Sequence, residues 1–262
     1  MTDTTSLFTR LMAVLVFIFL LAPLFIIFGA SLTPGTFLSF PPQGLSLRWY
    51  AFVLQNESFM ESFKTSLIVA TLGTGIAMLV GIPVAYALVR HRSVIPGWFG
   101  SIFFLPVLVP EIVFGFSLLK TVIVTLELPV MTALLIGHTI IAIPYAVRVI
   151  GASLSSFDFS AEEAAISLGC SPLKTFFTVV LPNIRSGIVA AFILAFISSM
   201  NDVSVSLFLT GPGVSTLPIN LFTYVEQHFD PSVAAVSVLL MLLTAIVIVI
   251  VERTLGLSKV MR

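Results

Sequence analysis

The sequence has little charge and little cysteine, and both shortages narrow the class of protein. Only 9% of its 262 residues are charged and its mean hydropathy is +1.15, whereas a soluble domain devotes about a quarter of its residues to charge. The single cysteine, Cys170, cannot form a disulfide within the chain. The formal net charge is zero, so no basic field attracts nucleic acid. These shortages exclude a disulfide scaffold and a nucleic-acid-binding protein, and they favour a membrane protein.

Motifs for catalysis and for metal binding are also missing. No lysine follows a glycine, as a P-loop requires, and the G-x-S-x-G pattern of a nucleophilic serine is absent. The histidines are widely separated in the sequence and have no metal-ligand spacing; they are His91, His138 and His228. We therefore expect no catalytic residue, no bound cofactor and no metal site in this chain.

What the sequence does contain is long apolar runs. A helix rises about 1.5 Å per residue, so about 20 apolar residues cross the hydrocarbon core of a bilayer. The predicted spans are residues 11–30, 66–89, 98–119, 130–147, 187–209 and 233–251. A cleaved signal peptide is the alternative for the first run, although its apolar core normally has only about 7–15 residues. We predict an all-α membrane protein, with residues 1–262 forming one domain.

The basic residues give the orientation. With an even number of spans, both termini lie on one side of the membrane, and basic residues are enriched in cytoplasmic loops. Nine basic residues fall on the side of the termini, namely Arg10, Arg90, Arg92, Arg148, Lys174, Arg185, Arg253, Lys259 and Arg262. The opposite side has three, namely Arg48, Lys64 and Lys120. The termini and the long connection 151–186 are therefore predicted to be cytoplasmic.

That connection has the pattern of two short helices. Ser160 followed by Glu163 is a capping-box pattern at the start of the first helix, and Gly169 suits a left-handed end. Ser171 and Pro172 are typical of the N-cap and first position of a second helix. The sequence predicts a helical hairpin.

The second helix has an apolar stripe and a defined end. Its apolar residues recur every three to four positions; they are Leu173, Phe176, Phe177 and Val180. The sequence Leu181-Pro182-Asn183 is expected to break the helix. The stripe requires a cover, and two covers are open: helices of the same chain, or a groove on a partner.

The hairpin resembles the EAA signature of ABC-importer permeases. The matching residues are Glu163, Ala164, Ala165, Gly169, Val179, Leu181 and Pro182. Only Val179 departs from the pattern, which usually has isoleucine there. The span layout and the run from Ser199 to Pro212 also resemble the second permease subunit of spermidine/putrescine importers, and this likeness covers nearly the whole chain.

The resemblance implies a function and an assembly. The fold would be a type I ABC-importer permease bundle of six transmembrane helices in the bacterial inner membrane. The signature residues would form a coupling hairpin that docks on a cytoplasmic ATPase. ATP and Mg²⁺ would be bound by two partner ATPase subunits, and a second, non-identical permease and a periplasmic solute-binding protein would complete an importer for a small amine-bearing solute.

Polar residues inside predicted spans are candidates for the translocation pathway, because a charge there costs about 2.5–3.5 kcal/mol. The candidates are Glu111, Asn201, Asp202 and His138. Two carboxylates would favour an ammonium group, as a polyamine resemblance implies. Polyamine permeases of this type often have an acidic pair where this chain has Asn201 and Asp202, so a monoamine, an amino acid or an aminophosphonate is also open. For His138, a hydrogen-bonded position between helices is the preferred interpretation.

Two other classes of membrane protein fit parts of the pattern. A secondary transporter would be driven by protons through Glu111, Asp202 and His138, and it would work without ATP. A scaffold or channel would use its intramembrane carboxylates only for structure. Neither alternative gives the hairpin a function, so binding of an ATPase to residues 160–182 would exclude both.

Overall fold

The computed structural model describes residues 7–255, and their side chains as far as Val249. Within this range the chain has no β-strand, only an isolated bridge between Gly211 and Val214. In chain order the helices are α1 (Leu7–Ser31), α2 (Arg48–Gln55), α3 (Glu57–Arg90), α4 (Gly97–Ile102), α5 (Leu105–Leu108), α6 (Glu111–Leu118), α7 (Val130–Ser155), α8 (Ser160–Ser167), α9 (Pro172–Thr175), α10 (Leu181–Asn183), α11 (Arg185–Met200), α12 (Leu217–Gln227) and α13 (Ser232–Leu255). Leu119–Thr125 and Phe176–Val180 are π-helical, and Ser206–Phe208 is a 3₁₀ turn.

Four of the described helices are long and apolar enough to cross a membrane, namely α1, α3, α7 and α13. A fifth candidate joins Pro172–Asn183 to α11 through a bend of 71°. The architecture is therefore the predicted all-α membrane fold. It is consistent with six spans, although two of the predicted spans are interrupted.

The third predicted span, residues 98–119, is broken into short helices. Pro106 lies in the first turn of α5 and Pro110 precedes α6, with an extended residue, Val109, between these helices. Proline has no N–H to donate and its ring clashes with the preceding turn, so each proline starts a helix here instead of continuing one. The chain then continues as a π-helix through Thr125.

The fifth predicted span, residues 187–209, is helical only in its first part. Helix α11 ends at Met200, and an irregular segment with one 3₁₀ turn follows. The carboxylate of Asp202 accepts hydrogen bonds from the backbone N–H groups of Val205 and Ser206. Such local side-chain bonds compete with a continuing helix, which is why the helix stops there.

The described chain divides into two compact units, and the first comprises residues 7–60 and 221–245. In this unit the connection after α1 folds back on itself. The hydroxyls of Ser31 and Tyr50 lie 2.6 Å apart, and the indole N–H of Trp49 donates to the Gly35 carbonyl at 3.1 Å. These contacts position α2 against the connection that precedes it.

The second unit comprises residues 61–220 and 246–255, and it contains the hairpin. Small side chains fill its core between α3, α7 and α11; they are Ala77, Ala85, Ala142, Ala146, Ala191 and Ala195. A Cβ at Gly81 would lie 2.5 Å from the Cβ of Ala146, so a glycine is required where α3 meets α7. Val180 and Ile184 of the hairpin are buried in the same cluster, which fixes the end of the hairpin to the membrane helices.

Candidate functional site

The turn between the two helices of the hairpin is built around Gly169. Its φ is +92°, a conformation that an L-residue adopts only with strain. The N–H of Gly169 donates to the Ile166 carbonyl at 2.9 Å, and that of Cys170 donates to the Ala165 carbonyl at 3.1 Å. This left-handed ending of α8 is the one that the sequence predicted.

The start of α8 differs from the predicted capping box. The N–H and the hydroxyl of Ser160 both donate to the carboxylate of Asp158, at 3.0 and 2.8 Å, and the N–H of Glu163 donates to the Phe159 carbonyl. Ser160 therefore does not cap Glu163, because the nearer carboxylate takes its hydroxyl. These two bonds lower the pKa of Asp158 below its usual value.

The second helix begins as predicted and ends slightly later than predicted. The hydroxyl of Ser171 accepts the N–H of Lys174 at 3.4 Å, and Pro172 occupies the first turn. The π-helical segment Phe176–Val180 precedes α10, which includes Pro182. The wider π-turn has i→i+5 bonds, so the helix continues past the proline and breaks at Ile184.

The apolar stripe of the second helix is covered on one side only. Val180 is buried, and the ring of Phe176 packs edge-on against Tyr86 of α3 with centroids 4.9 Å apart. In contrast, Leu173 and Phe177 are exposed. They line a groove of about 760 Å³ between α3 and the hairpin. Helices of the same chain therefore cover half of the stripe.

An ion cluster, formed by Tyr86, Arg90, Glu162 and Glu163, connects the hairpin to the end of α3. The Nε of Arg90 donates to Glu162 at 2.9 Å, and one terminal nitrogen of Arg90 donates to Glu163 at 3.0 Å. The hydroxyl of Tyr86 donates to the other oxygen of Glu162. Glu162 was not predicted from the sequence, where its only signals are the adjacent Glu163 and an arginine that directly follows the predicted span 66–89.

The opposite face of the hairpin is not covered by any of the residues that the structure describes. Ala161, Ala164, Leu168 and Gly169 are all exposed, and Leu168 keeps 87% of its accessible surface. Ala165, which is half-buried, lies beside them. An exposed leucine among small side chains is the kind of surface that another protein covers.

A second polar group, the histidine cluster, consists of His138, Ser199, Asp202 and Ser206. The Nδ1 of His138 lies 2.7 Å from the Ser199 hydroxyl, and its Nε2 lies 3.0 Å from the Ser206 hydroxyl. The Ser206 hydroxyl and N–H both donate to Asp202, at 2.7 and 2.9 Å. All four residues are buried, so the cluster ties α7 to α11 and to the segment after it.

The remaining candidates for the pathway are not part of this cluster. Asn201 is exposed, and its amide donates to the Ile197 carbonyl of its own helix at 2.9 Å. Glu111 is exposed in the first turn of α6. The structure thus brings His138 and Asp202 together, with Nε2 and Oδ2 3.8 Å apart, and leaves Glu111 outside their cluster. A pathway role for these residues stays a prediction.

Comparison with known proteins identifies the family. Residues 73–255 match the family described as "Binding-protein-dependent transport system inner membrane component", which is more than half of the 262 residues. The chain belongs to this family. The matched range includes α7, the hairpin and every residue of both polar clusters.

Curated relatives agree with the family assignment. The putrescine transport system permease protein PotI of Escherichia coli (strain K12) is 32% identical to this permease over 205 residues, covering 76% of this chain and 73% of PotI. The spermidine/putrescine transport system permease protein PotC of the same strain is 30% identical over 208 residues, covering 79% and 78%. Both are permeases, as the EAA resemblance implied.

A solved structure shows the same fold. A bacterial ABC transporter involved in the import of the acidic polysaccharide alginate has a chain that superimposes with a TM-score of 0.67 at 20% identity, covering 98% of each chain. At this identity the likeness establishes the fold alone. Together with the family, it makes this protein a multi-pass inner-membrane permease subunit of an ABC importer, and it decides against the proton-driven secondary transporter.

Proposed function

We propose that this permease imports a small amine-bearing solute, such as putrescine or spermidine, with ATP that partner subunits hydrolyse. The relatives PotI and PotC support the solute class, since they are permeases of putrescine and spermidine/putrescine transport systems. Glu111 and Asp202 would lower the electrostatic barrier to an ammonium group if the pathway passes them. The identity of the solute and the binding of an ATPase can therefore be tested separately.

The proposed assembly contains two cytoplasmic ATPase subunits, which bind ATP and Mg²⁺, and a second permease. A periplasmic binding protein would deliver the solute, as the family description specifies binding-protein dependence. Absence of a P-loop from the sequence supports placing ATP hydrolysis in a partner. The positive-inside rule supports cytoplasmic termini and a cytoplasmic hairpin. Three of the nine basic residues on the side of the termini, namely Arg253, Lys259 and Arg262, lie outside the residues whose side chains the structure describes.

The exposure of the hairpin supports the docking role most directly. One face packs against helices of this chain, whereas the other face is exposed. Glu162 and Val180 face the membrane helices, whereas Ala164, Leu168 and Gly169 face outward. Small side chains allow another backbone to approach closely, and Leu168 would fill a pocket on the ATPase by the helix-in-groove mode. Movement of the ATPase would then reach the membrane helices through the hairpin.

The docking role can be tested with Leu168→Glu. We expect the variant permease to insert in the membrane but to lose co-purification with the ATPase, because a charge would be buried without a partner. Val94→Glu is the matched control, since Val94 is also an exposed apolar residue, 80% accessible, on the neighbouring connection after α3. Equal ATPase recovery from both variants would contradict docking through this face.

The solute class can be tested in the complete importer in liposomes. We expect putrescine or spermidine, presented with the binding protein, to stimulate ATP turnover more than a neutral amino acid does. Stimulation by an amino acid, a monoamine or an aminophosphonate alone would replace the polyamine proposal. That outcome would leave the docking proposal intact.

A further inference from the structure

Arg90 contacts both glutamates of the hairpin from the end of α3. Its Nε bonds to Glu162 and a terminal nitrogen bonds to Glu163, at 2.9 and 3.0 Å. Its guanidinium also lies 5.2 Å from the centroid of the Phe159 ring. A planar guanidinium with several donors can hold two carboxylates at once, so one side chain fixes the position of α8 relative to α3.

Tyr86 adds a second attachment one helical turn before Arg90. Residues four positions apart lie on the same face of a helix, so both side chains reach the same carboxylate. Tyr86 bonds to Oε1 of Glu162 and Arg90 bonds to Oε2, so both oxygens are bonded to α3. The Tyr86 ring also packs against Phe176 of the second helix. The two helices of the hairpin are therefore attached to the same turn of α3.

Burial distinguishes the two glutamates. The side chain of Glu162 is 2% exposed, whereas that of Glu163 is 63% exposed. A buried carboxylate is strongly disfavoured without its partners, so Glu162 must move with Arg90 and Tyr86 or lose its hydrogen bonds. Glu163 faces water, which can replace its bond to Arg90 at little cost.

We propose that Glu162, held by Arg90 and Tyr86, is the positioning residue that transmits movement of the hairpin to α3. This inference rests on the proposed docking of an ATPase to the hairpin. Glu162 points away from the exposed face with Ala164 and Leu168, so it acts through α3 and not through contact with the ATPase. Glu163, which belongs to the resemblance motif, also bonds to Arg90, but from an exposed position where water can replace that bond.

The decisive quantity is the number of solute molecules transported per ATP hydrolysed. A residue that only stabilises the fold would reduce the amount of complex and would lower both rates together, so their ratio would not change. A transmitting residue lowers the ratio, because the ATPase still binds and turns over while α3 no longer follows. The experiment therefore compares Glu162→Gln with Asp158→Asn, an exposed carboxylate of the same segment, in the reconstituted importer, using putrescine with its binding protein.

We expect Glu162→Gln to retain the ATPase and to lower transport per ATP by about tenfold, within the usual range of coupling between sites. Asp158→Asn should change the ratio by less than about twofold, because this carboxylate is exposed and its described bonds go to Ser160 and not to α3. The exchange Arg90→Glu with Glu162→Arg should recover part of the ratio that each single change loses. Such recovery is expected only if the contact itself transmits the movement.

An unchanged ratio in Glu162→Gln with the ATPase bound, or equal losses in Glu162→Gln and Asp158→Asn, would overturn the inference. If Glu162→Gln does not assemble, Tyr86→Phe decides, since it removes one bond and keeps the ion pair. An unchanged ratio in Tyr86→Phe would then overturn it, and a lowered ratio would support it. If the wild-type permease binds no ATPase, the proposed function itself fails, which is a distinguishable result.

Discussion

The ion cluster and the histidine cluster use different chemistry in different surroundings. The ion cluster places full charges at the end of α3, where Arg90 is 29% and Glu163 is 63% exposed. The histidine cluster is buried between α7 and α11, and hydroxyls occupy both ring nitrogens of His138. Water can replace the bond of Glu163 in the first cluster, but not the bonds of the buried Glu162 or those of the second cluster. The ion cluster thus has one exchangeable and one buried carboxylate, whereas every member of the histidine cluster is buried.

The two clusters also differ in how they are held. The ion cluster joins elements more than 70 residues apart, and Glu162 is its only fully buried member. In the histidine cluster every member is buried, and Asp202 is bound by groups that follow it closely in the chain. Removing Arg90 should therefore free the hairpin locally. Changing Asp202 should instead disturb the end of a membrane helix.

The largest effect on stability is expected from Arg90→Met. The change leaves the buried carboxylate of Glu162 with Tyr86 as its remaining partner, and removing one side of a buried ion pair costs about 3 kcal/mol. We expect backbone amides of residues 160–168 to exchange hydrogen faster by a corresponding factor. Exchange in α7 should change little, since the histidine cluster is not touched.

Arg92→Met is the matched control for Arg90→Met. Arg92 is exposed on the same connection, and its side chain makes no ion pair among the described residues. Like Arg90→Met, the substitution Arg92→Met removes one positive charge, and it does so on the same side of the membrane. If both variants accelerate exchange equally, the effect comes from net charge and not from the ion cluster.

The next effect is expected from Asp202→Asn in the histidine cluster. An asparagine cannot accept all the bonds from Ser206 and Val205 that the carboxylate accepts, and hydrogen bonds to a charged group contribute about 1.5–3 kcal/mol. We expect a loss of about 2 kcal/mol. The thermal stability of the purified permease in detergent measures it.

Glu111→Gln contrasts with Asp202→Asn. Because Glu111 is exposed, its substitution should change the stability of the permease little. If both carboxylates face the pathway, both variants should slow transport more than basal ATP turnover. Normal transport in both variants would show that these carboxylates do not face the solute. A transport defect in Glu111→Gln alone would assign Asp202 to structure.

Local signals predicted the hairpin well. Gly169, Ser171 and Pro172 act through their own backbone preferences, and the structure has the turn and the second helix where these residues indicate them. The start of α8 was predicted with the wrong partner, because Ser160 has a carboxylate two residues away that competes with Glu163. Neighbouring alternatives of similar energy cannot be separated by pattern alone.

Contacts between residues that are far apart in the sequence could not be predicted from it. Adjacent glutamates point to different sides of a helix, and packing of the hairpin on α3 decides that Glu162 faces inward and Glu163 outward. Similarly, no pattern indicates that His138 meets a hydroxyl 68 residues away. The prolines of the third predicted span indicated that its helix is interrupted, but apolar composition alone could not show the extent of the interruption.

A smaller effect on stability is expected at Gly169. Both Gly169→Ala and Gly169→Leu must adopt a φ of +92°, which costs about 1–2 kcal/mol for an L-residue. A Cβ there meets no atom within 4 Å, so the two variants should have similar stability. Only leucine projects far enough to obstruct the proposed docking face.

We therefore expect Gly169→Leu to reduce transport per ATP well below that of Gly169→Ala. ATPase recovery and transport in liposomes measure the difference, and both variants should still insert in the membrane. Transport at the wild-type level in both variants would count against docking at this turn. A defect of equal size in both would instead indicate that the backbone conformation, and not the open surface, is what matters.

The smallest effect is expected from Asp158→Asn at the start of α8, where the hairpin meets water. The bonds from Ser160 lower the pKa of Asp158, so the folded carboxylate holds its charge to a lower pH than the unfolded one. Its contribution is complete above the unfolded pKa of about 3.9 and is lost as the pH falls through the folded pKa. Wild type and Asp158→Asn should thus differ slightly near neutral pH in hydrogen exchange of residues 160–168, and the difference should vanish in acid. A difference that persists in acid would mean that the N-terminal turn of α8 does not depend on the charge of Asp158.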